Sequence, residues 1–184
     1  MLMRLKSIWS FVLLGLGCCL SAIAADTAPT TAPETLAPKS YQIRNQQYGQ
    51  LLRPRDANSA TGTLIVLYPA QLWKCMTWKF YAAGESRYQL QNHFTSKTFE
   101  VNLADSAAAV TQAPFGKQPS DRPTWQFTKL SDGKYRITEI KSGKALTAIK
   151  SENSSGCRIV VQPWHESDDQ KWELIEIDPK DLTM

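Results

Sequence analysis

Three observations predict an all-β fold made of three equal units, a β-trefoil. Trp78, Trp125 and Trp172 return at a step of 47 residues (125 − 78 and 172 − 125), and Tyr41, Tyr88 and Tyr135 keep that step (88 − 41 and 135 − 88). Two independent series on one period mark an internal repeat. Third, apolar residues inside each unit alternate with polar ones, the spacing of strands, and no stretch of the repeat region carries the 3.6-residue pattern of a normal helix.

The strands follow in order. The first of each unit lies at Tyr41-x-Ile43, Tyr88-x-Leu90 and Tyr135-x-Ile137, and the second near Leu51-Leu52, Thr98-Phe99 and Ala145-Leu146. The third is the Val/Ile-rich segment, as in Leu64-x-Val66 and Ile159-x-Val161, and the fourth holds the tryptophan, as in Trp78-x-Phe80, Trp125-x-Phe127 and Trp172-x-Leu174. Gly, Ser, Asn and Asp clusters at 56–59 and 152–156 supply turns between them. Four strands in each of three units make about twelve. One unit cannot cover its own apolar face, so three must close around a shared axis. A solenoid or propeller is the alternative, but three units are too few for a stable open array or a normal propeller.

Ahead of the repeats, which span 41–87, 88–134 and 135–178, stand two other segments. Arg4 and Lys6 precede an apolar run over 8–20 and the small-x-small sequence Ala22-Ile23-Ala24, so residues 1–24 read as a signal peptide cut after Ala24. Export to the periplasm or the medium follows. A lipoprotein anchored through Cys18 is the competing reading, but Gly15 stands where such a signal wants a branched apolar residue. Residues 25–40, rich in Thr, Ala and Pro, read as a disordered spacer, and 179–184 as a C-terminal tail.

The chain carries 21 basic and 17 acidic residues. Cleavage removes Arg4 and Lys6, leaving 19 against 17, and the basic residues form no stripe, which excludes a nucleic-acid-binding surface. Cys18 and Cys19 leave with the signal. Cys75 and Cys157 remain in an oxidising compartment, either as a disulfide between the first and third repeats or as two separate buried residues.

The third repeat contains G-C-R-I-V-V-Q-P-W-H-E-S-D-D-Q-K-W, residues 156–172. With Gln162 and Trp164 on its third strand and Gln170-Lys171-Trp172 closing the unit as a Q-x-W, it resembles the ricin-B-type lectin repeat. The resemblance implies a carbohydrate site in which Trp164 stacks on a sugar ring, Asp168, Asp169 and Gln170 supply polar contacts, and Thr147 stands where the family carries an acid. The other two repeats depart from this pattern. The first has Met76 for the Gln, Ala70 for the aromatic and Arg53 for the acid, with Tyr68 and Trp73 nearby. The second keeps an acid, Glu100, but has Pro123 for the Gln and Lys117 or Pro114 for the aromatic. Structural roles are open to the same residues: packing for Trp164, turn formation for Asp168 and Asp169, and backbone bonding for Gln170.

Nothing points to catalysis or a cofactor. His93 and His165 stand in no metal-ligand spacing, and there is neither a phosphate loop nor a nucleophile motif. The sequence therefore predicts an exported, non-catalytic module whose partner is a glycan or glycoconjugate, with no membrane span. The alternative is a protein-interaction trefoil, such as a toxin-delivery subunit or an inhibitor.

Overall fold

The computed structural model describes residues 35–101, 107–151 and 156–184. The expected signal peptide and the spacer up to residue 34 lie outside the described residues. Twelve strands appear, four to a repeat: β1 (Ser40–Asn45), β2 (Leu51–Pro54), β3 (Ile65–Tyr68) and β4 (Thr77–Ala82) in the first, and β5 (Arg87–Asn92), β6 (Thr98–Val101), β7 (Val110–Ala113) and β8 (Trp125–Lys129) in the second. The third repeat holds β9 (Tyr135–Glu139), β10 (Ala145–Lys150), β11 (Cys157–Gln162) and β12 (Lys171–Glu176). The helical residues among those described are short 3-10 turns.

First and fourth strands build a barrel. The antiparallel pairs β1–β4, β4–β5, β5–β8, β8–β9, β9–β12 and β12–β1 form a closed ring of six, which leaves no edge unpaired. Second and third strands form the hairpins β2–β3, β6–β7 and β10–β11, which cap the barrel. The caps touch one another through the bridges Leu64↔Thr111, Ala109↔Val160 and Arg158↔Val66, one between each pair of repeats.

The six repeated aromatics are buried as expected, but β3 turns the other face inward: Ile65 (0% exposed) and Leu67 (3%) are in the core, not Leu64 and Val66, because a one-residue shift in strand phase exchanges the faces. Trp78, Trp125 and Trp172 are 0%, 1% and 0% exposed, so these rings sit in the interior and cannot be ligand platforms. Each buried indole needs an acceptor for its N–H. Trp78 donates to Leu52 O (3.2 Å), Trp125 to Phe99 O (3.4 Å) and Trp172 to Leu146 O (3.0 Å), always the carbonyl 26 residues earlier.

The spacer expected over 25–40 ends earlier than its composition suggests. Leu36 is buried in the core cluster, Tyr88 Oη donates to Leu36 O (3.2 Å) and Tyr41 Oη to Ala37 O (3.2 Å). The physical reason is that Leu36 is the one large apolar side chain in that segment, and two tyrosine hydroxyls need acceptors that the ring of strands does not supply.

The turns between first and second strands also repeat. Their left-handed positions are Gly49 (φ 63°), Ser96 (φ 55°) and Gly143 (φ 67°), spaced by the repeat length. Only Ser96 carries a Cβ there, where L-residues are disfavoured.

Two stability measurements check this account. Leu36→Ala should cost about 2–3 kcal/mol in urea unfolding, the price of a cavity under the tyrosines. Ser96→Gly should raise stability by about 0.5–1 kcal/mol, because relief of the left-handed strain exceeds the added freedom of the unfolded chain. A loss on Ser96→Gly would mean that the strain assigned to this turn is absent.

Candidate functional site

Four of the five expected site residues, Trp164, Asp168, Asp169 and Gln170, lie in the loop between the third and fourth strands of the third repeat. In the third repeat this loop runs from Pro163 to the 3-10 turn Asp168–Gln170. Gln170 is fully buried and organises it. Its Nε2 donates to Pro163 O (2.9 Å) and to Thr147 Oγ1 (3.0 Å), and its Oε1 accepts from His165 N (2.8 Å). Thr147, also fully buried, donates its own hydroxyl hydrogen bond to Ala145 O (2.9 Å).

The residues on either side of Trp164 are thereby fixed to one amide. Trp164 itself remains half-buried, neither packed into the core nor free, with the Arg136 guanidinium 5.4 Å from its ring centre. Asp168 is exposed and Asp169 half-buried. The Asp169 carboxylate accepts from Ser167 Oγ, which also bonds His165 Nδ1 (2.8 Å). The Asp169 carbonyl accepts from Asn45 Nδ2 (2.9 Å) and the Asp168 carbonyl from Gln47 N (3.2 Å), so the first repeat's turn steadies the acidic loop.

The five expected site residues thus divide. Trp164, Asp168 and Asp169 reach the surface of one loop. Gln170 and Thr147 lie beneath it, where they position the loop instead of meeting a ligand. For Thr147 the cause is its pairing with Gln170, which draws the hydroxyl inward.

The second repeat solves the same problem with different residues. Pro123 cannot replace the glutamine, and Arg122 closes the loop by donating from Nε to Gly116 O (2.7 Å) and from Nη2 to Lys117 O (3.2 Å). Gly116 is required there, since a Cβ would come within 2.7 Å of Asp121 Cβ. The aromatic of this repeat is Phe115, stacked 5.2 Å from Tyr81 and covered by Arg122 at 4.1 Å. Neither Phe115 nor Arg122 stands at a position the repeat motif marks, and Pro114, a candidate for the aromatic's place, lies one residue from Phe115. Beside it, exposed Glu100 and Asp121 with Arg122, Thr124 and half-exposed Ile140 line a cleft of about 390 Å³.

In the first repeat Met76 occupies the glutamine's place and is buried with Leu51 and Cys75. The disulfide considered between Cys75 and Cys157 does not form. Both are free, buried thiols, Cys75 in that small cluster and Cys157 in the main core. Burial pushes both thiols above their ordinary range. His93 bonds Ser40 Oγ (2.8 Å), and burial lowers its basicity. Among the described residues no group of three His, Cys, Asp or Glu could hold a metal ion, and no helix is long and apolar enough to cross a membrane.

A profile described as the ricin-type beta-trefoil lectin domain matches residues 39–172. Among solved structures, the designed threefold-symmetric protein ThreeFoil superposes with a TM-score of 0.67 at 24% identity, covering 75% of this chain and 99% of that one. An exo-β-1,3-galactanase from Clostridium thermocellum gives 0.66 at 18%, over 78% of this chain and 31% of that one, so the match takes in less than a third of the enzyme. The C-half of an earthworm R-type lectin, in complex with GalNAc, gives 0.56 at 19%, over 76% of this chain and all of that one (100%). No curated protein sequence matches. At these identities the structural likenesses establish the fold.

Gln170→Ala tests the loop clamp. It leaves the Pro163 carbonyl and the His165 amide unpaired, and should cost about 2–4 kcal/mol in urea unfolding. The His165 amide should also exchange faster with solvent; an unchanged rate would mean that Gln170 does not hold the loop.

Proposed function

The chain belongs to the ricin-type β-trefoil lectin family, and from that premise we propose that it is an exported, non-catalytic carbohydrate-binding module that reads a sugar with Trp164, Asp168 and Asp169. One observation carries the reading: the buried Gln170 amide fixes Pro163 and His165 on both sides of Trp164 while the indole stays half-exposed. A tryptophan needed only for packing would be drawn inward. One held outward by a dedicated polar clamp is preorganised to meet a ligand.

The chemistry follows from the residue types. An indole face takes the C–H face of a pyranose, and carboxylates accept from adjacent hydroxyls. A galactose-type ring suits this arrangement, because its axial 4-hydroxyl leaves an uninterrupted apolar face. The earthworm relative carries GalNAc, a ring of that type. Thr147 turns inward and adds no carboxylate, so affinity per site is weak. Export rests on the signal-like sequence of residues 1–24.

A second reading, a protein-interaction module, is favoured by one surface. Tyr68 (37% exposed) and Leu72 (50% exposed) lie with Trp73, whose ring centre is 5.9 Å from that of Tyr68. Co-purification of a stable partner that free sugars do not displace would favour it.

A glycan array followed by calorimetric titration with GalNAc tests the first reading. Trp164→Ala should weaken binding about tenfold or more, with the fold intact by circular dichroism and no glycan turned over. Absence of any bound glycan, or equal affinity in the variant, would sink it.

A further inference from the structure

A second pocket lies away from Trp164, where the cap hairpins of the first and third repeats meet. The register places Arg53 opposite Val66 across β2 and β3, and Val66 opposite Arg158 across β3 and β11. Directly opposed residues of neighbouring strands share a face, so the two arginines stand on one side of the sheet with Val66 between them. Neighbouring strands lie about 4.8 Å apart, which puts the two Cα atoms roughly 10 Å apart, within reach of one small ligand. Arg55, two residues beyond Arg53, joins them around a pocket of about 520 Å³.

Among the described lining residues arginines outnumber carboxylates three to one. Asp56 is the one carboxylate among its described lining residues, and none of the three arginines forms an ion pair with a described residue. Arg53 is 7% exposed, its guanidinium lies 3.6 Å from the centre of the Tyr68 ring, and its Nε has no hydrogen-bond partner. A buried cation with an idle donor is costly unless an anion arrives. Stacking on Tyr68 holds the guanidinium plane in place with the Cys75 thiol against it, and a guanidinium so fixed can meet an oxyanion through its remaining donors.

We propose that this pocket is an oxyanion subsite, in which Arg53, Arg55 and Arg158 bind the carboxylate or sulfate ester of an acidic glycan. That the anion is carried by a sugar rests on the carbohydrate-binding reading above; that the pocket takes an oxyanion does not. The two sites share no lining residue, so the molecule binds a neutral ring at Trp164 and an acidic one at the seam between the first and third repeats.

Calorimetric titration of the whole protein with a heparin-type disaccharide, a uronate joined to 6-O-sulfated N-acetylglucosamine with no galactose-type ring, tests the proposal, with inorganic sulfate and GalNAc as the other probes. Arg55 is exposed and Arg158 half-buried, so the Arg55→Gln/Arg158→Gln variant keeps the fold. The wild type should bind the disaccharide at least tenfold more tightly than inorganic sulfate. The double variant should lose at least tenfold, and Trp164→Ala less than twofold. No binding by the wild type, equal binding by the double variant, or inorganic sulfate binding as tightly as the disaccharide would overturn the proposal. GalNAc reports on Trp164 alone: if it fails while the disaccharide binds as stated, the neutral-sugar reading falls and the oxyanion subsite stands.

Discussion

The fold depends on one hydrogen bond made three times, from an indole N–H in the barrel to a carbonyl in the cap. Burying a tryptophan removes about 150–250 Å² from water, worth about 4–6 kcal/mol each. Three such rings outweigh most single contributions to a domain whose net stability is of order 5–15 kcal/mol. The polar N–H turns that bulk into a joint, because a buried donor left unpaired would forfeit much of the gain. The second repeat makes the dependence plain. Its hairpin β6–β7 is a separate two-stranded sheet, reached by the bridges Leu64↔Thr111 and Ala109↔Val160. Phe99 anchors it, with its carbonyl bonded by Trp125 and its ring 5.0 Å from both Trp78 and Trp125.

With barrel and cap joined in this way, the third-to-fourth-strand loops are released from structural duty and can diverge. Each still needs its backbone groups satisfied, and each repeat meets that need differently. Gln170 does it from inside with a neutral amide, and Arg122 with a guanidinium reaching back to Gly116 and Lys117. In the first repeat the interior position is apolar Met76, and Gln42 Nε2 bonds Gln71 O (2.7 Å) from the barrel side. Both loops leave an aromatic half-buried beside a guanidinium: Trp164 with Arg136 5.4 Å from its ring centre, and Phe115 with Arg122 itself at 4.1 Å.

The fold was legible in the sequence because it is written as a period, and a period survives ignorance of every side-chain contact. Trp78, Trp125 and Trp172 together with Tyr41, Tyr88 and Tyr135 located the core because only buried positions ask for the same large residue three times. The site was less legible. Trp164, Asp168 and Asp169 could be found from the third repeat's motif, but that Thr147 and Gln170 point inward depends on a bond between residues 23 apart, which no local pattern displays. Leu36 was hidden by its Thr, Ala and Pro neighbours, since composition averages over the one side chain that packs. Burial of Arg53 was invisible for a related reason: strand alternation gives the face of a residue, while the depth of that face depends on how two hairpins meet.

Positions 53, 100 and 147 are equivalent by the repeat, and they carry Arg, Glu and Thr. The Arg is buried on Tyr68, the Glu is exposed beside the cleft with Asp121, and the Thr is buried against Gln170. A cation, an anion and a neutral hydroxyl at one place in the fold make the three repeats electrostatically unlike, and of the three Glu100 alone is exposed. Avidity from identical linked sites, the usual advantage of threefold repetition, is therefore not what this sequence is arranged to deliver. Symmetry in the core coexists with electrostatic asymmetry at the surface because the tryptophan joint fixes the backbone without constraining which charge the second strand carries.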